Sequence, residues 1–100
     1  MTTAHLRTYT INTGCLDSWI DLFHRKLIPL MEEAGMKVES AWVNKERTQF
    51  VWIRSYGDSV ANYQKMNLAF KGSDWWKANV DHVRSHIAHM EVVEIESIEA

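Results

Sequence analysis

Three groups of residues could do chemistry. The first combines Arg7, Tyr9, Trp42, Trp52, Arg54 and Glu94. Two guanidiniums can hold a carboxylate or an enolate through paired hydrogen bonds. Tyr9 could give or relay a proton, and the indoles would flank a planar ligand. Such a site needs no metal. The plainer alternative is an interface: Arg7 or Arg54 pairs with Glu94, or with its copy in a second chain, and the tryptophans fill the space between. The second group is His82-x3-His86-x2-His89. On a continuous helix His82 and His86 lie one turn apart and could chelate a divalent metal. No HExxH accompanies them, and the alternative is a solvated face whose charge changes near pH 6.5, about where histidine titrates. The third is His24, at the edge of an apolar stripe, which could carry a proton in a cleft between helix and sheet. Cys15, beside Gly14 at a helix start, could have a lowered pKa; without a fixed base it is an inert small residue.

These residues need elements to hold them. His5 to Ile11, rich in Thr, Tyr and Ile, reads as a strand, closed by the turn Asn12-Thr13-Gly14. From Cys15 to Ala34 apolar residues recur at three and four, from Leu16 through Trp19, Phe23 and Leu27 to Met31, which predicts a helix. Gly35 is its expected stop, and Pro29 should kink it by removing a hydrogen bond and crowding the carbonyl of Arg25. Lys37 to Asn44 reads as a second strand, with Val38, Ser40 and Trp42 on one face. A polar turn leads to Phe50–Tyr56, which alternates strictly and should be the central strand. Gly57-Asp58-Ser59 ends that strand and offers a cap to a helix carrying Val60, Tyr63, Met66, Asn67 and Phe70, and Gly72-Ser73-Asp74 breaks it and starts another through Trp76, Val80, Val83 and Ile87. Met90 to Ser97 supplies a last strand.

The order is β-α-β-β-α-β, with the second helix broken in two. That is the ferredoxin-like α+β arrangement: a four-stranded antiparallel sheet with helices on one face. Leu6, Thr8, Ala41, Val43, Val51, Ile53, Val93 and Ile95 are expected beneath the helices. The face bearing Arg7, Tyr9, Trp42, Phe50, Trp52, Arg54, Tyr56 and Glu94 is expected to be left open. A soluble monomer rarely exposes so many rings together. A homodimer joined through that sheet face, closing a barrel, would hide them.

Composition narrows the classes. One hundred residues make a single domain spanning 1–100, with its core at about 5–97. Net charge is −2 with both signs interspersed, so no basic stripe argues for nucleic acid. Five tryptophans in 100 residues call for an interface or a cavity to hold some of them. A single cysteine forbids an intrachain disulfide. No apolar run approaches the roughly 20 residues of a membrane span, and no leader segment is evident. The expected location is the cytoplasm. A phosphate loop, GxSxG, CxxC and a dinucleotide fingerprint are all missing, so no cofactor is called for.

One family shares these features. Leu6-Arg7-Thr8-Tyr9-Thr10, the Gly14 turn, Trp19 through Leu27-Ile28-Pro29-Leu30, Glu33-Ala34-Gly35, Ala41-Trp42 and Trp52-Ile53-Arg54-Ser55-Tyr56 together resemble the NIPSNAP domain, from about His5 to Ser97. The chain departs from it at His5 and Ser40, where that family often carries Glu and Gly. The resemblance implies a dimeric α+β barrel and transfers no catalytic motif. Related barrels include small monooxygenases, isomerases, haem-degrading enzymes and binding modules, so the fold assigns no activity. In that company His82 and His86 could also ligate haem. Three functional classes stand. The leading one is a NIPSNAP-like protein of unassigned role that binds a small anionic or aromatic metabolite. The second is a cofactor-independent monooxygenase or isomerase, with Tyr9 or His24 as proton carrier and Arg7 or Arg54 as anion holder. The third is a structural module without a ligand.

Overall fold

The computed structural model describes residues 1–98. Strand β1, Thr3–Ile11, leads through a turn in which Gly14 takes φ +81°, a conformation that favours glycine. Helix α1, Leu16–Leu22, runs without a break into a π-helical turn, Phe23–Leu27, and then into α2, Ile28–Glu33. The widened turn is how the helix accommodates Pro29. The Ile28 N–H donates to the Phe23 carbonyl, five residues back rather than four, directly ahead of the residue that cannot donate. After α2 the chain stops in a Schellman motif: Met36 N–H donates to the Met31 carbonyl and Gly35 N–H to that of Glu32, with Gly35 at φ +96°. Strands β2, Lys37–Val43, and β3, Gln49–Ser55, form an antiparallel hairpin. Asn44 Oδ1 ties its turn by accepting from Thr48 N–H and Gln49 N–H, both at 2.9 Å. Helices α3, Val60–Lys71, and α4, Asp74–Arg84, are capped by the hydroxyls of Ser59 and Ser73. Strand β4, Ile87–Glu96, lies at one edge of an antiparallel sheet ordered β2-β3-β1-β4. This is the ferredoxin-like α+β fold.

The faces are the reverse of the sequence expectation. Tyr9, Phe50, Trp52, Arg54 and Tyr56 are buried beneath the helices. Trp19, Phe23, Leu27 and Met31, spaced by four on the long helix, press directly on them. Phe23 lies 4.8 Å from Phe50 and 5.0 Å from Trp52 between ring centres, and Trp19 lies 5.8 Å from Phe50. Leu6, Thr8, Val51 and Ile53 are only half-buried on the other face, and Val93 and Ile95 share it. Alternation separates two faces without saying which one meets the helices. Here the helix stripe is bulky, and the bulky face of the sheet completes the layer. Each buried aliphatic or phenyl side chain contributes about 1.5–3 kcal/mol on leaving water.

Trp42 stays on the open side, as expected, but is parted from Arg7, Tyr9, Trp52 and Arg54, which lie beneath the helices. A bulge between Val38 and Ser40 shifts the β2–β3 register by one residue. A one-residue shift sends every later side chain to the opposite face. Val38 therefore pairs with Arg54 and Trp42 with Val51. Trp42 ends 67 % exposed on the open side, while Ala41 and Val43 keep their expected helix-side positions.

Candidate functional site

Two strands build the floor of the site. The β1–β3 register pairs His5 with Arg54, Arg7 with Trp52, and Tyr9 with Phe50. All of these project toward the helices. The sequence Arg-x-Tyr occurs on each strand, and each copy folds the same way. Arg7 Nε donates to Tyr9 Oη at 2.9 Å, and Arg54 Nε donates to Tyr56 Oη at 2.8 Å. Each guanidinium also reaches a thioether: Arg7 Nη2 lies 3.6 Å from Met90 Sδ, and Arg54 Nη1 lies 3.7 Å from Met31 Sδ. Both guanidinium carbons sit 5.5 Å from the Trp52 ring centre.

Among the described residues no carboxylate answers these charges: neither Arg7 nor Arg54 makes a salt bridge. Arg54 is only 4 % exposed. Its burial, and then the like charge of Arg7, pull its pKa below the ordinary guanidinium value. A thioether and a phenol are weak compensation for a buried cation.

Behind Arg54 lies a short relay. Tyr56 Oη accepts from Arg54, which leaves its own hydrogen for His5 Nδ1 at 2.6 Å. Burial raises the Tyr56 phenol above its usual pKa, against the pull of Arg54. Burial, with Arg7 and Arg54 adding repulsion, holds the His5 imidazole down to about 4. His5 is therefore neutral at pH 7 and keeps an acceptor for Tyr56. Tyr63 packs its ring 4.6 Å from His5 and 4.7 Å from Tyr56.

Above this floor is a cavity of about 140 Å³. Leu27 and Met31 form one wall, and Tyr63, Asn67 and Phe70 of α3 form the facing one. Trp76, Val83 and Arg84 of α4 complete it, with Lys71 at the end of α3. The lining holds four cationic side chains, Arg7, Arg54, Lys71 and Arg84, and no Asp or Glu. Trp19 and Trp52 also line it, and the indole nitrogens of both are buried without a hydrogen-bond partner. A buried unpaired donor is uncommon and costs about 1–3 kcal/mol.

Of the residues singled out from sequence, the fold brings together Arg7, Tyr9, Trp52 and Arg54. Trp42 lies on the opposite face of the sheet. Glu94 pairs with His5 across the β1–β4 ladder but is exposed and outside the lining. His24 points outward from the π turn, exposed and also outside it. Cys15 is a free thiol at the start of α1. His86 is buried, and both ring nitrogens are committed. Nδ1 donates to the His82 carbonyl at 2.9 Å, so Nε2 accepts from Ser18 Oγ at 3.0 Å. That spends the lone pair a metal would need, and His82 is left exposed. Among the described residues no group of three or more His, Cys, Asp or Glu could hold a metal. Sequence reasoning missed Tyr63, Asn67 and Lys71 as lining residues, although their spacing of four places them on one face of α3.

Comparisons with known proteins give the same fold. Residues 4–94 match the model of the NIPSNAP family. A NIPSNAP family protein from Agrobacterium tumefaciens superposes with a TM-score of 0.87 at 14% identity, covering 98% of this chain and 87% of that one. An uncharacterized NIPSNAP domain protein from Burkholderia xenovorans gives 0.84 at 15% identity, covering 96% and 94%. SnoaB, a cofactor-independent oxygenase from Streptomyces nogalater, gives 0.74 at 9% identity, covering 99% and 95%. Among curated proteins nothing matches.

Proposed function

This chain belongs to the NIPSNAP family, and from that premise we propose that it binds a small anionic, ring-bearing metabolite in the cavity between sheet and helices. The observation that carries the reading is Arg54, a buried guanidinium with no carboxylate partner among the described residues. Burying an ion costs several kcal/mol, which only a well-placed partner offsets. A ligand carboxylate on Arg7 and Arg54 would supply it. The volume is close to that of an engineered apolar cavity of about 150 Å³ that binds benzene. A single ring fits this scale.

The test is calorimetric titration with benzoate of the protein and of Arg54→Met, which keeps the bulk of the side chain and removes its charge. Binding to the first and not to the second supports the reading. Equal binding by both, or none by the first, removes it.

One observation favours a second reading, proton transfer to a bound ligand. Tyr9 lines the cavity, and its oxygen accepts from Arg7 Nε, so its own hydrogen is available to a ligand oxygen. SnoaB, similar in fold, is named as a cofactor-independent oxygenase. Tyr9→Phe separates the two readings, because binding would survive it and turnover would not.

A second copy of the chain would cover the open face. Trp42 is 67 % and Val93 54 % exposed there, with half-buried Leu6, Val51 and Ile53 between them. That apolar surface crosses all four strands and is what a dimer of this fold would bury.

A further inference from the structure

We infer that the ligand of this cavity is a dianion: one ring carrying a carboxylate at each of two ends. The inference rests on the binding reading above and concerns the class of ligand. Four cations line the cavity, two from the sheet and two from the last turns of α3 and α4. Arg7 and Arg54 rise from the sheet, both against Trp52. Lys71 is the last residue of α3 and Arg84 the last of α4, and both reach the lining. Rings lie beside Arg54. The Arg54 guanidinium lies 6.0 Å from the Phe70 ring, and Phe70 lies 4.7 Å from Trp76.

Cations at helix C-termini have an ordinary use, because they offset the negative end of the helix dipole. That use does not require them to share a cavity. Here they share one with two further cations and no anion. Among the described residues neither Lys71 nor Arg84 is in a salt bridge. A monocarboxylate on the sheet pair would leave the helix-end pair unanswered. A second carboxylate, held across the apolar middle by Phe70 and Trp76, would answer both.

The experiment compares terephthalate (benzene-1,4-dicarboxylate) with benzoate by calorimetric titration at one fixed ionic strength. The full chain and the double variant Lys71→Gln/Arg84→Gln are used; both positions are exposed. Terephthalate should bind the wild-type chain about tenfold more tightly than benzoate, the gain from two partly exposed ion pairs. In the double variant that ratio should fall to about one. Equal wild-type affinities, or a preference that survives the double variant, would overturn the dianion and leave the binding reading standing. Failure of both probes to bind the wild-type chain would overturn both.

Discussion

Arg7 and Arg54 set their guanidinium carbons at the same distance, 5.5 Å, from the ring of a single indole, that of Trp52. They come from two paired strands, because Arg7 is the direct cross-strand neighbour of Trp52 and Arg54 lies two residues beyond it. Two like charges on one ring repel, and Arg7 contributes to the lowering of the Arg54 pKa. The ring and the two tyrosine hydroxyls hold the pair together. An anion between the guanidiniums would turn that repulsion into attraction, and four predictions follow from this geometry and its surroundings.

Arg54→Met should make the unliganded protein more stable, by about 1–3 kcal/mol, because it replaces an unpaired buried charge with an apolar chain of similar length. Tyr56 keeps its bond to His5. Chemical denaturation without ligand measures this. A destabilised variant would mean that Arg54 is held for structure.

Stability should fall in mild acid on account of His5. Its pKa is about 4 in the folded chain against 6.5 when unfolded. Between those values the unfolded chain binds a proton that the folded chain refuses. The stability contributed by this site is therefore complete above about pH 6.5 and is lost as pH drops toward about 4. The loss amounts to about 2–3 kcal/mol. His5→Gln retains an acceptor for Tyr56 and does not titrate. The difference between the two denaturation profiles across that window isolates His5, and parallel profiles would refute the assignment.

His86→Leu should destabilise the fold by about 1–3 kcal/mol, because the Ser18 hydroxyl and the carbonyl of His82 each lose a partner. Thermal melts with and without added zinc test this against the metal reading of His82 and His86. A zinc-dependent rise in the wild-type melting temperature would restore that reading.

Trp42→Glu places a charge on the open aliphatic face, far from the cavity. Sedimentation should show the wild-type chain as a dimer and the variant as a folded monomer. A wild-type monomer at high concentration would remove the second copy from the account.

Much of this was legible in the sequence. Periodicity placed every strand and helix in order. Ser59, Ser73 and Gly35 marked ends that the structure realises with caps and a Schellman turn. Period-two alternation alone put Arg7 with Tyr9, and Trp52 with Arg54. The side of the sheet on which they fall was not legible, because a pattern of two carries no label for inside. Trp42 was lost to the bulge at Glu39, which exists only in the pairing of β2 with β3. The bond from His86 to Ser18 joins residues 68 apart, and no local spacing announces it. Lys71 and Arg84 stand at the ends of two different helices, and only the packing of α3 and α4 over the sheet brings them to one cavity.

The most direct measurement is the anomalous scattering of crystals soaked in 4-iodobenzoate, since iodine locates the ring and the density beside it locates the carboxylate. The geometry predicts iodine inside the cavity, toward Phe70 and Trp76, with the carboxylate within hydrogen-bond distance of Arg54. Iodine found only on the outer surface, with the cavity holding no carboxylate, would contradict it.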